Sequence, residues 1–108
     1  MLQETDQSAV RAIVDDIIEQ IVKTYQPQKI ILFGSYARGT QNQDSDIDLL
    51  VIKDTQEDFI TRIRNVRKSL SCPLPLDILV YTKDEIDKLK DEWFINDILK
   101  EGIVVYEQ

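Results

Sequence analysis

Asp44, Asp46 and Asp48 alternate at the entrance to an apolar run, Ile47 to Ile52. Side chains on an extended strand repeat every second residue, so Asp46 and Asp48 are expected on one face of one strand. Two carboxylates held close together on an otherwise apolar strand repel each other unless a proton or a cation intervenes. A divalent cation answers that repulsion. Oxygen-only ligands favour Mg²⁺ or Mn²⁺ over zinc in a chain with no histidine and a single cysteine. A calcium-binding EF-hand is excluded, because Leu49 stands where that loop needs glycine and Thr55 where it needs a bidentate glutamate. Asp77 is the single acid within Leu74-Pro75-Leu76-Asp77-Ile78-Leu79-Val80. It either faces solvent on an edge strand or lies beside Asp46 and Asp48. In the second case, strands about 4.8 Å apart would bring three carboxylates to one pair of ions, the arrangement that a two-metal in-line displacement requires.

Two of the three glycines, Gly34 and Gly39, lie within the six residues that follow the short apolar run Lys29 to Phe33. A Gly34-Ser35 pair opening a helical turn could aim backbone N–H groups and a hydroxyl at a phosphate. Alone, such a pair is more often a plain strand-to-helix turn. The glycine spacing matches a P-loop, but Thr40 and Gln41 occupy the positions where that motif needs Lys and Ser or Thr. There is no G-x-G-x-x-G to support a dinucleotide fold. Arg38, within the same stretch, could meet a phosphate, pin the aspartate loop or serve in a surface ion pair.

The elements that must position these residues follow from periodicity. Val10, Ile13, Val14, Ile17, Ile18, Ile21, Val22 and Tyr25 recur at helical spacing, which predicts an amphipathic helix ending before Pro27. Lys29–Phe33 and Ile47–Ile52 read as buried strands. Phe59, Ile63, Val66 and Leu70 mark a second amphipathic helix. Leu76 to Tyr81 reads as a third strand, and Thr82 with Glu85 is a capping box for a short helix. A helix over about Glu92 to Lys100 and a terminal strand from Ile103 to Tyr106 complete the chain. The expectation is a single α/β (α+β) domain over residues 1–108, a small mixed β-sheet packed with helices.

The 108 residues, 43% of them hydrophobic, suffice for one core without disulfides, and one cysteine allows no internal bridge. No apolar run approaches the roughly 20 residues that span a bilayer, so a cytoplasmic protein without membrane insertion is expected. A net charge of −7 disfavours direct binding of nucleic acid and suits a basic protein partner or a small anionic substrate carried by metal ions.

Gly34-Ser35, ten intervening residues and Asp46-Ile47-Asp48 match the G-S-x10-D-x-D signature of the DNA polymerase β-like nucleotidyltransferase superfamily. The fuller strings Gly-Ser-Tyr-Ala-Arg-Gly-Thr and Ser-Asp-Ile-Asp-Leu-Leu-Val resemble its minimal nucleotidyltransferase (MNT) antitoxin branch. The likeness is strongest over Lys29–Lys53 and takes in Asp77 as the third carboxylate. The resemblance implies a nucleotidyltransferase fold in which Asp46 and Asp48 ligate two Mg²⁺ ions, with Mn²⁺ able to replace them. Asp77 would ligate the catalytic ion and help deprotonate the acceptor, and Gly34 and Ser35, with Arg38 as a further candidate, would hold the phosphates of ATP. It also implies a HEPN-domain toxin as partner in a hetero-oligomer, silenced by AMP transfer to a tyrosine hydroxyl.

The rival is an antitoxin that silences its partner by binding and occlusion alone, for which an intact carboxylate triad is not required. Modification of a small molecule such as an aminoglycoside is a second rival, disfavoured because little chain remains for an acceptor domain. Among lesser candidates, Arg62, Arg64, Arg67 and Lys68 read as cations complementing a helix C-terminus. Trp93, Phe94, Ile95 and Ile98 read as core rather than as a partner-binding patch, and Cys72 as a structural thiol.

Overall fold

The computed structural model describes residues 2–42 and 44–108, with side chains described from residue 9 on except at residue 43. The chain runs α1 (Leu2–Tyr25), β1 (Lys29–Phe33), α2 (Ser35–Arg38), β2 (Ile47–Ile52), α3 (Phe59–Arg67), β3 (Leu76–Tyr81), α4 (Lys83–Leu89), α5 (Trp93–Glu101) and β4 (Ile103–Glu107). This is the order the periodicity predicts.

The four strands form one mixed sheet in the order β3-β2-β1-β4. β1 pairs antiparallel with both β2 and β4, while β2 and β3 are parallel. A parallel neighbour needs a crossover long enough to return the chain to the same end of the sheet, and α3 with its flanking loops supplies it.

The near-continuous apolar run of β2 follows from burial on both faces. Ile47, Leu49 and Val51 join Ile30, Leu32, Ile78 and Val80 under α1, which contributes Val14, Ile17 and Ile21, and under α3, which contributes Val66. Leu50 and Ile52 join Ile31 on the other face, under Ile86 of α4 and Ile95 and Ile98 of α5. Each fully buried aliphatic side chain contributes about 1.5–3 kcal/mol, so α1 is held by its Ile17 and Ile21 stripe rather than by intrinsic propensity.

The helix boundaries have local causes. α1 stops at Gln26, whose φ of 54° departs from helical backbone just before the buried Pro27. Asp58 caps α3 by accepting from the Thr61 N–H at 2.7 Å, and Thr82 and Glu85 form the expected capping box of α4.

Two expectations are corrected. Arg62 is not a solvated cation at a helix end but is only 6% exposed. It donates to the Glu57 carbonyl at 2.7 Å and to both carboxylate oxygens of Glu85, at 2.7 and 3.2 Å, tying α3 to α4. The helical pattern of basic residues concealed this, because its partner lies 23 positions away. Trp93 and Phe94 are not core: Trp93 is 76% and Phe94 39% exposed, and only Ile95 and Ile98 of that group are buried. Two isoleucines three positions apart are enough to seat a nine-residue helix, leaving the aromatics at its start outside.

Candidate active site

The three aspartates lie at one end of the sheet. Asp48 is the second residue of β2 and pairs in register with Asp77 on the parallel β3 and with Phe33 on the antiparallel β1. Residues directly opposite one another in a ladder point to the same face, so Phe33, Asp48 and Asp77 form a row across three strands. That face is the one covered by α4 and α5, since Leu50 and Ile52, two and four positions beyond Asp48, pack there. Asp77 is exposed and lies on an edge strand, so it both borders solvent and stands beside Asp48.

Asp46 lies in the turn one residue ahead of β2 rather than within the strand, and it is exposed. The Asn42–Ser45 turn precedes it: Ser45 N–H donates to the Asn42 carbonyl at 3.1 Å, and Asp44 N–H to the Asn42 side chain at 2.8 Å. Asp44 is therefore a turn residue.

Gly34 is required at its position for two independent reasons. Its φ of 76° and ψ of −156° lie in a region essentially restricted to glycine. A Cβ placed there would stand 2.2 Å from Oδ2 of Asp48. The Asp48 carboxylate thus lies directly over the Gly34 backbone, which links the glycine turn to the aspartate strand. α2 begins at Ser35 without a side-chain cap, and its first N–H groups have no intrahelical acceptor. It ends at Arg38, which is exposed, and Gly39 closes it in the left-handed region.

Burial, then the charges of Asp77 and Asp46, push the Asp48 carboxyl above the ordinary carboxylate range, with Arg38 pulling the other way. None of the three carboxylates has a salt-bridge partner among the described residues. Nor, among those residues, do three acidic or cysteine side chains converge closely enough to close a metal cage. Like charges on neighbouring strands spread apart unless a cation draws them in. Hard oxygen donors, unneutralised charge and a glycine that clears space for one carboxylate all fit a divalent cation.

A cleft of about 820 Å³ between α1, α2 and β4, lined by Val14, Leu32, Tyr36, Gln41, Ile103 and Val105, lies toward the α1 face. None of the three carboxylates lines it, so it is distinct from the row that could hold a metal. Among the described residues, no helix is long and apolar enough to cross a membrane.

Residues 16–108 match the family model described as polymerase beta, nucleotidyltransferase. Two relatives come from Methanocaldococcus jannaschii. "Putative protein adenylyltransferase MJ0604" is 34% identical over 79 residues, covering 73% of this chain and 78% of that protein. "Putative protein adenylyltransferase MJ1215" is 32% identical over 72 residues, covering 58% and 84%. Among solved structures, one described as a putative nucleotidyltransferase from Sulfolobus solfataricus superposes with a TM-score of 0.69 at 20% identity, over 94% of this chain and 84% of that one. A chain of a toxin–antitoxin structure with AMP-PNP superposes with a TM-score of 0.50 at 21% identity, over 94% and 73%. These two share the fold. The chain belongs to the polymerase beta nucleotidyltransferase family and is a nucleotidyltransferase.

Proposed function

We propose that this protein transfers AMP from ATP to a hydroxyl on a partner protein, and that it acts as the antitoxin of a toxin–antitoxin pair. The observation that carries the transfer chemistry is the register of Asp48 with Asp77 beside Gly34, within a family of nucleotidyltransferases. The acceptor class is supported by relatives named as protein adenylyltransferases, and the antitoxin role by the fold shared with a chain of a toxin–antitoxin assembly. A net charge of −7 suits a basic partner. The resemblance of the motif to minimal nucleotidyltransferases favours a HEPN-type toxin and a tyrosine acceptor in a hetero-oligomer.

Asp46, Asp48 and Asp77 would hold two Mg²⁺ ions, or Mn²⁺, which supply Lewis-acid charge to the triphosphate and lower the pKa of the attacking hydroxyl. The Gly34-Ser35 turn orients the phosphates, with Arg38 offering a further positive charge at the end of α2. Asp77, exposed on the edge strand, accepts the acceptor's proton. The acceptor oxygen attacks the α-phosphorus, the bond from that phosphorus to the bridging oxygen breaks, and pyrophosphate leaves. Adenylylation adds negative charge and bulk to the partner, which would block binding of RNA phosphates at a ribonuclease site.

The test incubates the partner with Mg-ATP and either wild-type or Asp77→Asn protein, separates the chains, and measures the partner's mass and activity. The expected result is adenylyl mass and lasting inhibition with the wild type alone. No mass gain, with full activity on separation, would replace transfer by inhibition through occlusion.

A further inference from the structure

The row Phe33-Asp48-Asp77 does not end at Phe33. The ring of Phe94, at the start of α5, lies edge-on to Phe33 with centroids 6.2 Å apart, and the Trp93 indole lies edge-on to Phe94 at 5.7 Å. An exposed aromatic ledge is therefore continuous, ring to ring, with the strand position beside Asp48. Val104 of β4, in register with Ile31, extends the exposed apolar surface on the same face. A large exposed indole backed by a second aromatic is the composition of a binding anchor rather than of ordinary surface.

The charges around the ledge select its occupant. Asp91 and Glu92 immediately precede Trp93 and Asp97 follows it one helical turn on, with Glu101 beyond, while Lys90 stands three residues before it and Lys100 two turns on. All six are exposed, and the four acids outnumber the two lysines. A nucleobase seated on the indole would bring its own phosphates into this negative field, whereas a basic protein surface would meet opposite charge.

We propose that Trp93 and Phe94, flanked along the chain by Asp91, Glu92 and Asp97, form the docking surface for the acceptor protein, and that the partner meets it with an apolar centre rimmed by lysine or arginine. A segment seated there lies at the Phe33 end of the carboxylate row, from which its hydroxyl reaches along the row past Asp48 toward Asp77. The proposal rests on the transfer reading for the identity of its partner, but not for the chemistry of the surface.

Trp93 is the chain's single tryptophan, so its fluorescence reports directly on the ledge. The probe is a synthetic amphipathic helix of leucine and lysine carrying one tyrosine, with a glutamate-for-lysine version as its control. At physiological salt the basic peptide should shift Trp93 emission to the blue and shield it from acrylamide, while the acidic peptide and Mg-ATP should not. With a fluorophore on the peptide, Trp93→Ala and the combined Asp91→Asn, Glu92→Gln, Asp97→Asn variant should each weaken binding by roughly tenfold or more. Both variants should bind Mg-ATP as the wild type does. Shielding by Mg-ATP would make the ledge a nucleobase seat, equal binding of the acidic peptide would remove the charge argument, and absence of shielding by the basic peptide would remove the docking surface. Each overturns the proposal. Failure of AMP transfer to any acceptor would instead overturn the functional reading and leave the Trp93 result standing.

Discussion

Asp48→Asn should make the metal-free protein more stable while abolishing its activity. Asp48 is partly buried, with its carboxyl pushed up first by burial and then by Asp77 and Asp46. At the strand spacing of about 4.8 Å, a like-charge pair repels by about 1 kcal/mol in water and about 3 kcal/mol at the effective dielectric of a protein surface. Asp77 is exposed, so screening favours the lower figure. Asparagine keeps the shape and removes the charge. A gain of about 1 kcal/mol raises the melting temperature of a domain of this size by roughly 4–8 °C. Because folding raises the Asp48 pKa, the stability its neutral form contributes is fully present below the ordinary aspartate pKa and disappears as pH rises through the raised value. The gap between variant and wild type should therefore be absent in acid and open toward neutral pH. The assay is thermal unfolding with a chelator and again with Mg²⁺. At a hundredfold excess over Kd, a bound ion stabilises the wild type by about 2.7 kcal/mol, which should reverse the order. An Asp48→Asn variant less stable than wild type in chelator would rule out repulsion at Asp48, and an order unchanged by Mg²⁺ would rule out a metal there.

Gly34→Ala should cost about 2–4 kcal/mol, because it combines backbone strain with a clash against Asp48, whereas Gly39→Ala, with the same φ of 76° and open space, should cost about 1–2 kcal/mol; urea unfolding measures both, and equal losses would contradict the close approach. Glu85→Gln leaves Arg62 buried without its counter-charge and should cost about 1–3 kcal/mol, discounted because the Glu85 side chain is 39% exposed. The hydrogen bond from Arg62 holds the Glu85 carboxyl below its ordinary range, so its contribution is present above the unfolded glutamate pKa and lost as pH falls through the folded value; acid titration of stability should be shallower in the variant. Asp77→Asn should remove transfer while retaining much of the Mg-ATP affinity, whereas Ser35→Ala should weaken nucleotide binding; calorimetry showing equal loss in both would contradict the division of roles.

The order of elements was legible because each has a local signal: the isoleucine stripe of α1, the near-continuous apolar run of β2 and the Thr82–Glu85 capping box. The adjacency of Asp48 and Asp77 was legible only as a condition, since no local pattern dictates that β3 sits beside β2; the α3 crossover and the two-sided burial of β2 decide it. Alternation placed Asp46 on the strand, but pairing begins at Ile47, where its N–H donates to the Pro75 carbonyl at 2.9 Å. The Arg62–Glu85 tie was hidden because a buried cation and a surface cation look alike in a helical pattern until the distant partner is known. Trp93 and Phe94 misled for the converse reason: periodicity shows which residues share a face, not whether another element covers it.

Nucleotidyl transfer and phosphoryl transfer from ATP differ in which phosphorus the acceptor keeps, so the fate of a label decides between them. ATP labelled at the α-phosphorus, or separately at the γ-phosphorus, is incubated with Mg²⁺, the partner and either wild-type or Asp77→Asn protein. Nucleotidyl transfer predicts α-label on the partner with the wild type alone, γ-label released in pyrophosphate, and neither label transferred by Asp77→Asn. Covalent γ-label on the partner would make the reaction phosphoryl transfer, and absence of α-label would mean that no nucleotidyl group moves; either result contradicts AMP transfer to the partner.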